Sequence, residues 1–264
     1  MATHIIPAVP PDLRELEIKR TELETLEVEL TQGELELATL KGELLAFERH
    51  YLRIVGIRQA ELDEIEAQVL EMLSRFSPED SEAIEQARHA RGQAQESAEA
   101  TGFVRDLPEE REHFEPSVDL KQCYREIAKL IHPDLAIDDQ ERALRTLLMA
   151  EANLAYQKGD QAHLRRILLH WKHNPQSLKG EDAGAQLARI ICRITQVKER
   201  LSAIQTETEE FNVSELYQLK IQVDEAALHG TDLLATMAEH LDHQVAEFRQ
   251  RLADLVSMYS ESLL

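Results

Sequence analysis

The chain has 264 residues, with 50 Asp/Glu against 29 Lys/Arg and a formal net charge of −21. That excess argues against general attraction to nucleic acid or an anionic membrane, since phosphate binding needs clustered Lys and Arg. Charged residues make up 30% and aromatics only 5%, a profile of long helices and coiled coils rather than of one globule.

Residues 1–11 read as an N-terminal tail. They are too short and too poor in basic residues for a signal peptide, and no apolar run approaches the ~18 residues of a membrane span. The expectation is a cytoplasmic protein with no membrane insertion. Asp12 is placed to cap a long helix over 12–76. Leu16, Leu23, Leu30, Leu37, Leu44 and Tyr51 are each seven apart, and Lys19, Leu26, Gly33, Leu40, Phe47 and Ile54 occupy companion positions three residues on, with Lys19 and Gly33 weakening the seam. This is a coiled-coil heptad pattern with Glu-rich flanks, and it predicts a homo-oligomer. Leu62 then falls four residues beyond the expected position, a stutter that locally unwinds a supercoil. Residues 77–116, dominated by Ala, Gln, Glu and Ser and punctuated by Gly and Pro, read as a mostly mobile linker with one weak helix.

A compact segment at 117–172 follows. Ser117 is a candidate N-cap for a helix whose Leu120, Tyr124, Ile127 and Ile131 form an apolar stripe. Lys121, Arg125 and Lys129 line another face at i, i+4 and i+8. Pro133 lacks an N–H and disfavours the α region for His132, so the helix ends at His132-Pro133-Asp134. A second helix over 140–157 presents Leu144, Leu148, Ala152 and Ala155, with Tyr156 beside the last, and packs antiparallel on the first. Leu164, Ile167, Leu168 and Trp171 belong to a third piece laid across that hairpin. Residues 119–172 carry nine Lys/Arg and eight Asp/Glu, a net of +1, so the rest of the chain carries −22.

After a loop at 173–184, heptads return over 185–264, beginning Leu187, Ile190, Ile194, Val197, Leu201 and Ile204. Asn212 with Glu215 fits a capping box, which predicts an antiparallel helical hairpin turning near 212. Its second helix is longer than its first, so surplus seam must meet the N-terminal coil or another copy. The pairs His170/His173 and His240/His243 sit at i, i+3, but no further ligands complete a metal site. Cys123 and Cys192 lie far apart and build no disulfide framework or CxxC pair. No Walker loop, nucleophile elbow or paired catalytic carboxylates occur, so neither an enzyme nor a bound cofactor is expected.

The segment at about 118–160 resembles the J domain of Hsp40 co-chaperones, which stimulates Hsp70 ATPases. Tyr124-Arg125 and Ile127-Ala128 fit the family's basic helix II, His132-Pro133-Asp134 its loop, and Met149, Asn153, Ala155 and Tyr156 its helix III. The family's Tyr-x-x-Leu-Gly helix I is absent, with His113-Phe114-Glu115-Pro116 in its place, and the final Gln-Lys-Arg helix is missing too. Glu126 stands where helix II is usually basic. Without Gly/Phe-rich or Cys-repeat segments, the resemblance is to class C. With the heptad segments on either side, the expected fold is all-α and elongated, with coiled-coil arms flanking a small helical hairpin. The resemblance implies docking on an Hsp70 through His132, Pro133, Asp134, Lys121, Tyr124, Arg125, Lys129 and Asn153, with the coils choosing an unidentified client or location. The alternative is a scaffolding coiled-coil protein whose hairpin has lost Hsp70 coupling.

Overall fold

A computed structural model describes residues 11–102, 114–136, 138–172 and 183–262. All of its regular structure is helical: α1 (Pro11–Tyr51), a π-helical turn (Leu52–Gly56), α2 (Ile57–Phe76), α3 (Ser81–Gly102), α4 (Val118–Ile131), a 3-10 turn (Pro133–Leu135), α5 (Asp139–Gln157), α6 (Gln161–Lys172), α7 (Ala183–Val213), α8 (Glu215–Leu228) and α9 (Leu233–Ser262). The all-α class read from the sequence is what is found. Residues 103–113 of the expected linker and 173–182 of the expected loop lie outside the described residues.

The chain divides into two compact units that do not follow the order of its segments. One comprises Met1–Glu43 and Phe114–Ser214, the other Leu44–His113 and Glu215–Leu264. The predicted division into successive segments is therefore replaced by two units, each built from an N-terminal and a later stretch.

In the first unit, Leu23, Leu30 and Leu37 of α1 pack against Ile194, Val197 and Ile204 of α7. The contacts beside this seam advance in step. Arg20 donates to Gln186 at 2.8 Å, Arg193 pairs with Glu27 at 2.6 Å, Arg200 with Glu34 at 2.6 Å, and Lys41 with Glu207 at 2.5 Å. Each step is seven residues on both helices, so α1 and α7 form a parallel coiled coil with flanking polar rungs. The heptads of α7 thus meet α1, not the helix that follows them, which corrects the predicted antiparallel hairpin at 212. Asn212 lies inside α7.

A second core in this unit joins Leu120, Tyr124, Ile127 and Ile131 of α4 to Met149, Ala152 and Tyr156 of α5, Leu164 and Ile167 of α6, and Leu35 and Ala38 of α1. Burying each Leu or Ile contributes about 1.5–3 kcal/mol, and a two-helix hairpin cannot enclose these side chains without the cover that α1 and α6 supply. Ser117 caps α4 as predicted, its Oγ accepting from the Leu120 N–H at 3.1 Å. The predicted face of α5 is found at Leu148, Ala152, Ala155 and Tyr156 but not at Leu144, which is 44% exposed, while Arg145 is buried. The stripe through 145, 149, 152 and 156 keeps helical spacing, and Arg145 is tolerated inside because every edge of its guanidinium is engaged.

The second unit gathers Phe47, Val55, Leu62 and Ile65 with Leu234, Leu241 and Val245 of α9. Arg58–Asp242, Glu61–Arg249 and Phe76–Tyr259 advance together, so α2 and α9 also run parallel. The surplus C-terminal seam therefore meets the N-terminal coil. The stutter before Leu62 is realised as the π-helical turn, which accommodates extra residues by widening one turn. The predicted linker is corrected at 81–102, where α3 is a helix of 22 residues. It packs antiparallel on α2 through Ala67, Ala90 and Ala94, with Arg91 bridging Glu64 and Glu71 at 2.7 Å each. The chain reverses between α8 and α9 at Gly230, whose φ of +77° suits a residue without Cβ.

Candidate functional site

The His132-Pro133-Asp134 turn lies at the C-terminus of α4, where helix carbonyls lose their partners. Arg145 supplies donors there: Nη1 reaches the carbonyls of Leu130 at 2.9 Å and His132 at 3.3 Å. Its Nε and Nη2 donate to Glu141 at 3.0 and 2.8 Å, and its guanidinium carbon lies 4.7 Å from the Trp171 ring centre. One buried cation therefore ties the end of α4 to α5 and α6.

His132 is only 4% exposed. Its Nδ1 accepts from the Asp134 backbone N–H at 3.2 Å, which fixes the turn. That leaves the proton on Nε2, which donates to Glu34 Oε1 of α1 at 3.1 Å. The same Glu34 oxygen accepts from Arg200 Nε of α7 at 2.6 Å. The turn is thus joined to one rung of the α1–α7 coiled coil. Burial alone would raise the Glu34 carboxyl, but the hydrogen bonds from His132 and Arg200 outweigh it and hold it below its ordinary value.

Asp134 is half-buried, and burial pushes its carboxyl up, against the pull of His132 and Arg200. Its Oδ2 is buried with no hydrogen-bond donor among the described residues. The nearest ring nitrogen, His132 Nδ1 at 3.4 Å, already accepts from the backbone and offers a lone pair rather than a proton. Pro133 is half-buried beside it.

The remaining candidate residues separate into two groups. Tyr124 is fully buried and its hydroxyl donates to Asn153 Oδ1 at 2.6 Å, so both bind α4 to α5 from within. Tyr124 thus has no exposed surface, whereas Asn153 is half-buried. Lys121, half-buried, and the exposed Arg125 and Lys129 lie along α4. Arg125 and Lys129 line a groove of about 690 Å³ whose opposite wall, on α1, carries Glu24 and Glu27.

Phe114 and α1 take the place beside the hairpin where the sequence lacks a local packing helix. Phe114 stacks edge-on against Tyr156, with ring centres 5.6 Å apart and planes at 74°. Tyr156 also shares a 3.0 Å hydrogen bond with Thr39 of α1. Sequence reasoning missed Glu34, Arg200 and Arg145. The first two had a signal: they sit at matching heptad flanks, one on each coil, with opposite charges.

Among the described residues, no group of three or more His, Cys, Asp or Glu is placed to hold a metal ion. No helix among them is long and apolar enough to cross a membrane. His240 and His243 are exposed on α9, and His173 lies outside the described residues. Compared with protein families, with curated proteins and with solved structures, the chain matches none.

Proposed function

We propose that the protein is a J-domain co-chaperone of class C type. It would act in the cytoplasm, docking on an Hsp70 through the His132-Pro133-Asp134 turn and stimulating its ATPase without catalysis of its own. The observation that supports this reading is the antiparallel α4–α5 hairpin closed by a proline-fixed turn that carries an acceptor-only carboxylate, Asp134. A partner arginine could meet that carboxylate in a charge-assisted hydrogen bond, while Arg125 and Lys129 raise the association rate. The coiled-coil segments would select the client or location. Because α7 fills the α1 seam, a homo-oligomer would use other surfaces or exchange α7 between copies. The test is steady-state ATPase of the cognate Hsp70 with wild type and Asp134→Asn. Stimulation lost in the variant supports the reading, and no stimulation by wild type or by variants that free the turn removes it.

The burial of His132 favours a second reading, in which the hairpin is a packing element of a scaffolding coiled-coil protein. A pull-down with Hsp70 in ATP separates the two, since a scaffold is indifferent to Asp134→Asn.

A further inference from the structure

Resting on the co-chaperone reading, we infer that the α1–α7 coiled coil is an autoinhibitory clamp on the His132-Pro133-Asp134 turn, released before an Hsp70 can dock. Both ring nitrogens of His132 are committed inside the chain, one to the turn's own backbone and the other to Glu34. Glu34 is in turn held by Arg200, so the α1 residue that contacts the imidazole is itself fixed by α7. Along α4, Arg125 and Lys129 share a groove with Glu24 and Glu27 of α1, so α1 places acid beside the cations an acidic partner would use, as does Glu126 of α4 itself.

The closed arrangement holds the turn without satisfying it. Asp134 Oδ2 is buried and lacks a donor, which opposes closure, whereas the Glu34 interactions with His132 and Arg200 favour it. A partner that donates to Asp134 gains a hydrogen bond available only in the open state. Differential binding of that kind shifts a two-state equilibrium toward opening. From α5, Arg145 and Arg142 flank the turn, and Arg145 holds its carbonyls in a fixed geometry that opening of the coils would leave intact.

The experiment compares full-length wild type, Glu34→Gln and Arg200→Gln, each first shown to be folded by circular dichroism. Amide hydrogen exchange over 118–136 reads the clamp directly, and ATPase stimulation of the cognate Hsp70 reads its consequence. Losing one charge-assisted hydrogen bond should speed exchange at the turn roughly ten- to a hundredfold. Stimulation at subsaturating protein should rise severalfold in both variants and vanish when Asp134→Asn is added. Unchanged exchange at the turn in both variants overturns the clamp. Faster exchange with stimulation equal to wild type overturns gating but leaves the co-chaperone reading standing. Faster exchange with no stimulation by any variant overturns both.

Discussion

His132 on the turn after α4 and Glu34 on α1 are 98 positions apart in sequence, yet Nε2 and Oε1 meet at 3.1 Å with both side chains buried. Glu34 lies one residue past a heptad core position, where a solvated carboxylate is the ordinary outcome. Here it accepts from two donors at once, and the sign of its linkage to pH follows. A carboxyl held below its ordinary value contributes stability that is complete above that value, 4.5, and is lost as pH falls through the folded-state value. Asp134, raised by burial from 3.8, works in the opposite sense, since its ionisation costs stability as pH rises. Melting temperature should therefore fall as pH drops from roughly 5 to 3, and Glu34→Gln should flatten that fall. An unchanged slope in the variant would mean that other carboxylates govern the acid limb.

Tyr124→Phe should destabilise the protein by about 1 kcal/mol, near the lower end of the range because the half-buried Asn153 can recover a water. Urea denaturation reads the loss. Tyr124 has no exposed surface in the folded chain, so any effect on a partner should track stability alone. A variant of wild-type stability with weakened docking would restore Tyr124 to the contact surface.

Gly42 of α1 is buried beneath the Phe114 ring. A Cβ there would lie 2.6 Å from Cδ1 and 2.8 Å from Cζ, inside any tolerated contact. Gly42→Ala removes a flexible helix residue, which by itself favours the helix by about 1 kcal/mol. The clash must expel Phe114 from its edge-on contact with Tyr156, and overpacking of this kind costs about 1–3 kcal/mol. The net change should be destabilising in thermal melts, and the added truncation Phe114→Ala should make Gly42→Ala neutral or favourable.

The elements of the hairpin were legible because each rests on local chemistry. Ser117 caps, the 120/124/127/131 stripe buries, and Pro133 stops the helix. The partner of each long helix was not legible, since heptads state that a seam exists without saying what fills it. The signal for α1 with α7 lay in the flanks: Arg20, Glu27, Glu34 and Lys41 stand opposite Gln186, Arg193, Arg200 and Glu207 at a constant offset. The buried Arg145 was missed because pattern reading assigns a cation to solvent, and only tertiary partners make its burial tolerable. The helix α3 reads from the sequence only as a weak helix in a linker because most of its buried side chains are alanines, which carry little apolar signal but let two backbones approach closely.

That alanine seam makes a prediction in the second unit. Ala94 is 2% exposed and Ala67 fully buried, so α2 and α3 leave no room for a branched side chain. Ala94→Leu should cost about 1–3 kcal/mol despite its greater hydrophobicity, because the helices must separate to admit it. Separation also strains the Arg91 bridge to Glu64 and Glu71. Gly92, by contrast, has nothing within 4 Å of a built Cβ, and Gly92→Ala should stabilise by about 1 kcal/mol in the same melts.

The parallel register of α1 and α7 can be tested by exchanging one rung. Glu27 and Arg193 pair at 2.6 Å with both side chains partly exposed, so their attraction is worth only about 0.5–1 kcal/mol. Glu27→Arg alone sets two guanidiniums face to face, and Arg193→Glu alone sets two carboxylates together. Each should lower stability, and the double exchange should recover most of it. The coupling in that cycle is the diagnostic quantity, because residues that do not touch add independently. An antiparallel pairing would place Glu27 against a different residue of α7, and the double variant would then be as damaged as the sum of the two. Recovery should weaken at high salt, where partly exposed charges are screened, whereas the Glu34–His132 contact, buried on both sides, should respond less. The two measurements together distinguish a rung that specifies register from one that holds the turn.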